Sequence, residues 1–184
     1  SDDGSNMSIT DSTGTGTLTL NQATDTTYTG RFDGAMNLVK AGVGTLTLNN
    51  RSSAAHSISG TTTVSAGILD IDTDDYTSAI TVAAAGALEV DLGTTLALQA
   101  ALSVDAASQI VIVGTPTLAS YTLISATSIT GTPVLCPPIA NYVLEVSRNE
   151  LQLNLDSVVW NGAGHSLWSD GDATNWDGSY NTGA

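Results

Sequence analysis

A glycine-led phrase of alternating threonine and leucine governs what this chain can fold into. Gly42-Val43-Gly44-Thr45-Leu46-Thr47-Leu48-Asn49-Asn50 is followed, after a short linker, by Gly60-Thr61-Thr62-Thr63-Val64-Ser65-Ala66-Gly67-Ile68-Leu69-Asp70-Ile71. An earlier copy reads Gly14-Thr15-Gly16-Thr17-Leu18-Thr19-Leu20-Asn21, and the short core of the phrase starts at Gly16, Gly44, Gly67 and Gly86. The offsets are about 28, 23 and 19 residues, the period of a stacked repeat. A unit of that length cannot bury its own apolar side, so it must lie on its neighbours, and a strand apolar at every second place stacks as a β-coil. The expected fold is all-β, a parallel β-solenoid.

Composition narrows the surface chemistry. The formal net charge is −14, with Arg31, Lys40, Arg51 and Arg148 as the basic side chains. That balance argues against nucleic acid and anionic lipid surfaces as partners, since both need a cationic face. Charged residues make up only 12% and hydrophobic ones 41%, too apolar for a disordered acidic tail. No run of 18 apolar residues offers a membrane span. No basic n-region with an apolar core is present either, so an export signal or anchor is expected outside this stretch. Cys136, the single cysteine, precedes Pro137-Pro138 and has no internal disulfide partner, so compartment is not legible from it.

Along the chain, Met7 and Ile9 suggest a short entering strand and Thr17 to Leu20 a clear one. Tyr28-Thr29-Gly30 answers to Ile58-Ser59-Gly60 one repeat on, whereas residues 31–41 break the pattern and are expected to form a wider turn. Leu96, Leu98, Ala100, Leu102 and Val104 alternate over nine residues, which predicts one strand rather than a helix. Ser147-Arg148-Asn149-Glu150 reads as a tight turn between the alternating strands Tyr142 to Val146 and Leu151 to Leu155, a hairpin that would close the coil. Pro116, Pro133, Pro137 and Pro138 all fall between strands. Inward rows are expected from Leu18, Leu20, Leu46, Leu48, Leu69, Ile71, Leu88 and Val90. Gly16, Gly44, Gly67 and Gly86 are expected where φ is positive or the backbone passes close to a neighbour.

After Asp156 the composition changes. Trp160, Trp168 and Trp176 follow at intervals of eight, amid Asn-Gly and Asp-Gly pairs. The chain is therefore read as a solenoid over 1–157 and a Trp-rich piece over 158–184. Its rings would cover a coil end, contact another subunit or module, or stack on sugars.

The phrases Gly44-Thr45-Leu46-Thr47-Leu48-Asn49-Asn50 and Thr62-Thr63-Val64-Ser65-Ala66-Gly67 resemble the autotransporter-associated β-strand repeat, or passenger-associated transport repeat, of large bacterial surface and secreted proteins. The similarity is close over 42–71 and partial over 14–30. Residues 121–155 resemble the closing passage that often follows such repeats, and Trp160 to Gly178 the opening of a further unit. The resemblance implies a right-handed parallel β-helix in an exported bacterial protein, at the cell surface or outside the cell. It brings no catalytic residues and no cofactor.

Candidate sites are sparse. Asp70, Asp72 and Asp74 alternate, with Asp75 adjacent, so carboxylates along one face would suit Ca²⁺; outward aspartates on a strand leaving the coil are the plainer alternative. Asp170 and Asp172 form a second such pair. His56 and His165 have no Cys or His at zinc-ligand spacing and are expected in surface turns. Clustered carboxylates beside a basic group, as polysaccharide-cleaving β-helices need, are missing, and so are nucleophile elbows and phosphate loops. The expected function is a non-catalytic structural stalk or passenger segment. Alternatives are a subunit of a filament or surface layer joined head to tail to copies of itself, and an adhesin for glycans or host protein.

Overall fold

The computed structural model describes residues 8–14, 16–49, 56–72 and 76–156, and the backbone of 159–160 and 176–177. Three faces carry the stack. The first coil comprises β1 (Ser8–Asp11), β2 (Thr17–Asn21) and β3 (Thr26–Tyr28). The second comprises β4 (Arg31–Gly34), β5 (Asn37–Ala41) and β6 (Thr45–Leu48), and the third β7 (Ser57–Ile58), β8 (Thr61–Val64) and β9 (Gly67–Ile71). The fourth coil adds β10 (Ala79–Val82) and β11 (Gly86–Asp91). The fifth adds β12 (Leu96–Ala97), β13 (Leu102–Val104) and β14 (Gln109–Val113). The sixth adds β15 (Ser120–Ser125), β16 (Ile129–Thr130) and β17 (Val134–Leu135).

Two sheets run the whole stack, β2-β5-β8-β10-β13-β16 and β3-β6-β9-β11-β14-β17. Every neighbouring pair in them is parallel. The other face starts as β1-β4-β7, passes through a Tyr76–Leu98 bridge, and continues as β12-β15. There β18 (Tyr142–Ser147) and β19 (Glu150–Leu155) form the expected hairpin, with β19 antiparallel to β15. Arg148 takes a φ of 55° in its turn. The parallel β-solenoid is thus the fold.

The rows are stacked residue on residue. Leu18, Leu38, Thr62, Ile80, Leu102 and Ile129 lie in register on the second face. On the third, Leu46, Leu69, Leu88 and Ile110 form one row and Leu48 and Ile71 belong to the next. Leu46, Leu48, Leu69, Ile71, Leu88 and Val90 are buried as expected, whereas Leu18 and Leu20 on the first coil are only half covered. Thr62 is the polar member of its row. Its hydroxyl is paired with Tyr76 Oη at 2.8 Å and Ser78 Oγ at 2.9 Å, so its burial leaves no orphan.

Four expectations need correction. The phrase at 16–20 does not lie under its twin at 44–48: Leu18 stacks on Leu38 in the second face, and Leu46 on Leu69 in the third. All inward rows meet one core, so the same phrase serves on either face. Likewise Tyr28 is in register with Leu48, and Ile58 with Gly34. Residues 31–41 are not a wide turn but two strands, because Phe32 and Leu38 supply inward positions. Finally, the alternating stretch 96–104 is cut into β12 and β13, since a three-faced coil must turn a corner there, at 98–101.

All four phrase glycines sit at close approaches. Gly67 shows the strongest constraint: φ is 69°, and a methyl group would fall 2.7 Å from both Gly44 O and Lys40 Nζ. Gly67 is in register with Gly86, which packs against the Val64 backbone. Beyond the hairpin, β20 (Val159–Trp160) pairs antiparallel with β21 (Trp176–Asp177) in a separate two-stranded sheet. Trp168, His165, Asp170 and Asp172 lie outside the described residues.

Candidate functional site

Alternation places one side chain of each pair outside, and on the third face the outward row is acidic. Thr47, Asp70, Glu89 and Val111 stand in register across β6, β9, β11 and β14. Asp70 and Glu89, with Asp72, Asp91, Thr94 and Thr95, line a groove of about 200 Å³. Burial pushes the Asp70 carboxyl above the usual carboxylate range, a hydrogen bond with Thr47 opposes it, and the charges of Asp72 and Asp91 add to it. Glu89 is raised likewise, by burial first and then by Asp70, Asp91 and Asp25. The groove is therefore a site of like-charge repulsion. Asn49 Nδ2 donates to Asp72 at 2.6 Å and supplies partial relief.

Of the calcium candidates, the structure brings Asp70 and Asp72 to this groove, while Asp74 and Asp75 lie outside the described residues. Among the described residues no three His, Cys, Asp or Glu side chains come together as a metal-holding group. Trp160 and Trp176 face each other as backbone partners across β20 and β21. Cys136 is half-buried and free.

Lys40 and His56 both lie inside the coil, and sequence reasoning missed both. Lys40 is fully buried in the row between Leu20 and Val64. Its Nζ donates to the carbonyls of Ala41 at 3.2 Å, Gly42 at 2.9 Å and Ala66 at 3.0 Å, tying two successive corners together. Burial pulls its pKa below that of an ordinary lysine. The signal was present in Leu38-Val39-Lys40, where Lys40 shares the parity of an inward leucine.

His56, expected in a surface turn, is instead fully buried. It belongs to an interior file of rings: Tyr28 stacks on Phe32 at 4.5 Å, Phe32 lies 5.7 Å from His56, and His56 lies 5.9 Å from Tyr76. Phe32 and Tyr76 stand one coil to either side of it, so the imidazole fills a ring-sized place in a column of rings.

None of these groups forms a catalytic pair. The carboxylates face outward from the third sheet, whereas Lys40 and His56 are enclosed. Among the described residues, the carboxylates of this groove share no cleft with Lys40 or His56.

Comparison with known proteins agrees with the coil pattern. The passenger-associated-transport-repeat family profile matches residues 13–32 and 38–71. The first segment spans β2 and β3 and enters β4, and the second runs from β5 through β9. No curated protein and no solved structure matches the chain. Among the described residues no helix is long and apolar enough to cross a membrane. The match thus falls within the first three coils, and that part of the β-solenoid is similar to the passenger-associated-transport-repeat family.

Proposed function

We propose that this segment acts as a stiff spacer in the passenger of an exported bacterial protein, holding neighbouring modules apart. The segment is structural and non-catalytic, and its place is extracellular or at the cell surface. The observation that carries the spacer role is the unbroken register of two six-stranded parallel sheets. Each coil adds about 4.8 Å of height with its backbone paired above and below, and side chains are locked in stacked rows. Length thus grows with coil number, and stiffness follows from the continuous core. The coils are taken as right-handed, as nearly all parallel crossovers are. Residues 158–184 are assigned as an end-piece or joint, on the change of composition after Asp156 and the separate pairing of β20 with β21.

Limited proteolysis followed by mass spectrometry tests the spacer role. A stiff stalk is expected to resist cleavage from Thr17 to Asp156 at protease levels that digest an unfolded chain within minutes. Cuts distributed through several coils under those conditions would overturn it.

A second reading, assembly with copies of itself, is favoured by the first coil. β1, β2 and β3 are edge strands of their sheets, Leu18, Leu20 and Tyr28 are half-covered there, and Ile9 is 37% exposed. A copy's coil seated there would pair those strands and complete that apolar layer, as a further coil of the same protein would. Light scattering across a wide concentration range separates the two, since a stalk stays monomeric and an assembling subunit grows.

A further inference from the structure

One buried group is used by neither the spacer role nor the acidic groove. His56 Nδ1 accepts the Phe32 N–H at 3.2 Å, which fixes the neutral ring with its proton on Nε2. Nε2 is itself buried without a hydrogen-bond partner. Protonation would place a new N–H at Nδ1 directly against the Phe32 N–H, two donors head to head, and strand a charge among rings.

The surroundings offer that charge no hydrogen-bonding partner, and only the more distant Asp33 favours it. On β4, Arg31 and Asp33 are paired with each other, and Asp33 also accepts from Ser8 Oγ at 2.7 Å. From β3 comes Tyr28, stacked on Phe32. In the next coil Tyr76 is held by Thr62, and Thr77 Oγ1 donates to the His56 carbonyl at 2.9 Å. Among the described residues no carboxylate is hydrogen-bonded to the imidazole. The strand that begins just after His56 is short: β7 has two residues paired with Asp33 and Gly34 of β4, with Ser59 N–H donating to Gly34 O at 3.0 Å and Thr77 Oγ1 to Ile58 O at 3.3 Å on the other side.

We infer that His56 is an acid-sensitive latch, whose protonation unseats β7 and opens the third coil locally while the later coils stay stacked. A coil stack is coupled only through nearest neighbours, so one coil can open without the rest. Burial holds the imidazole down to about 4 from an ordinary 6.5, against the pull of Asp33 and with the repulsion of Arg31. The opened state therefore binds the proton more tightly. Closure is complete above about pH 6.5 and is lost progressively as pH falls toward 4. One proton gives up to about tenfold per pH unit in the closed-to-open ratio, about 80-fold between pH 6.5 and 4 and about 300-fold in the acid limit.

Nitrogen-detected imidazole NMR and amide hydrogen exchange on the full chain, from pH 7.5 to 3.5, test this. The Nε2–H tautomer is expected at neutral pH, with no titration near 6.5. After correction for intrinsic rates, exchange at Phe32, Ser57 and Ile58 is expected to rise up to about tenfold per unit below that point, while Leu102 and Ile110 remain protected. His56→Gln, whose side-chain oxygen accepts from Phe32 without titrating, is expected to flatten the rise. A ring titrating near 6.5 in the folded chain, an equal rise in His56→Gln, or exchange accelerating alike in every coil would each overturn the latch. If His56→Gln fails to fold, the titration and exchange of the unaltered chain decide the matter.

Discussion

Leu18 and Leu38 occupy one row, one coil apart, and replacing each by alanine separates stacking from mere hydrophobicity. Leu38 is fully buried, whereas Leu18 on the first coil is only half covered. Leu→Ala removes three carbons' worth of transfer energy, about 2.4 kcal/mol at about 0.8 per group, when the site is closed. A closed site also keeps a cavity, which takes the cost of Leu38→Ala to about 3 to 5 kcal/mol. At Leu18 about half the transfer term applies and solvent fills the gap, so the cost is about 1 kcal/mol. Leu48→Ala, at a fully buried place in the third face, is expected to match Leu38→Ala. Val43→Ala, at 77% exposure, serves as the control within about 0.5 kcal/mol. Urea melts followed by far-UV circular dichroism give these differences, with the slope checked for coils that unfold separately. Equal costs at Leu18 and Leu38 would refute the continuous row.

Gly67→Ala is expected to lose about 1 to 3 kcal/mol or more, because φ is positive and the methyl group would run into Gly42 O; a thermal melt within a degree of the parent would contradict it. Lys40→Met should destabilise by about 1 to 3 kcal/mol through the three carbonyls left without their donor, read by the same melts. Glu89→Gln should stabilise at neutral pH by a few tenths of a kcal/mol, more at low salt. The sign follows from a folded-state pKa raised above the unfolded one: the penalty is present at high pH and disappears as pH falls through the raised value, so the gain should vanish in acid. Ending the chain at Asp156 is expected to promote association in light scattering if 158–184 cover a coil end; a truncated form that stays monomeric and equally stable removes that role.

Much of the fold was legible because alternation reports which side chains point inward. Leu46-Thr47-Leu48 and Leu151-Gln152-Leu153 carry the parity openly, and the hairpin turn at 148–149 is fixed by the two strands it joins. Corners were not legible. Alternation persists through Leu98 and Ala100, yet the chain leaves one face and joins another there, because the coil's geometry rather than local propensity sets where strands end. The same ambiguity let identical phrases at 16–20 and 44–48 look like stacked partners when they lie on different faces. Polar residues at inward positions were the other loss. Lys40 and His56 read as surface groups by type, and only the carbonyls at adjacent corners and the rings of Phe32 and Tyr76 make their burial tolerable.

The register of the coils bears most directly on the whole arrangement, and backbone proton NOEs between strands measure it. The parallel stack places Leu18 beside Leu38, and Leu46 beside Leu69, which in turn lies beside Leu88. Interstrand NOEs joining those pairs, in the parallel pattern, are the expected result. NOEs joining the backbone of Leu18 to that of Leu46 would put the two phrases in direct pairing and contradict the solenoid described here.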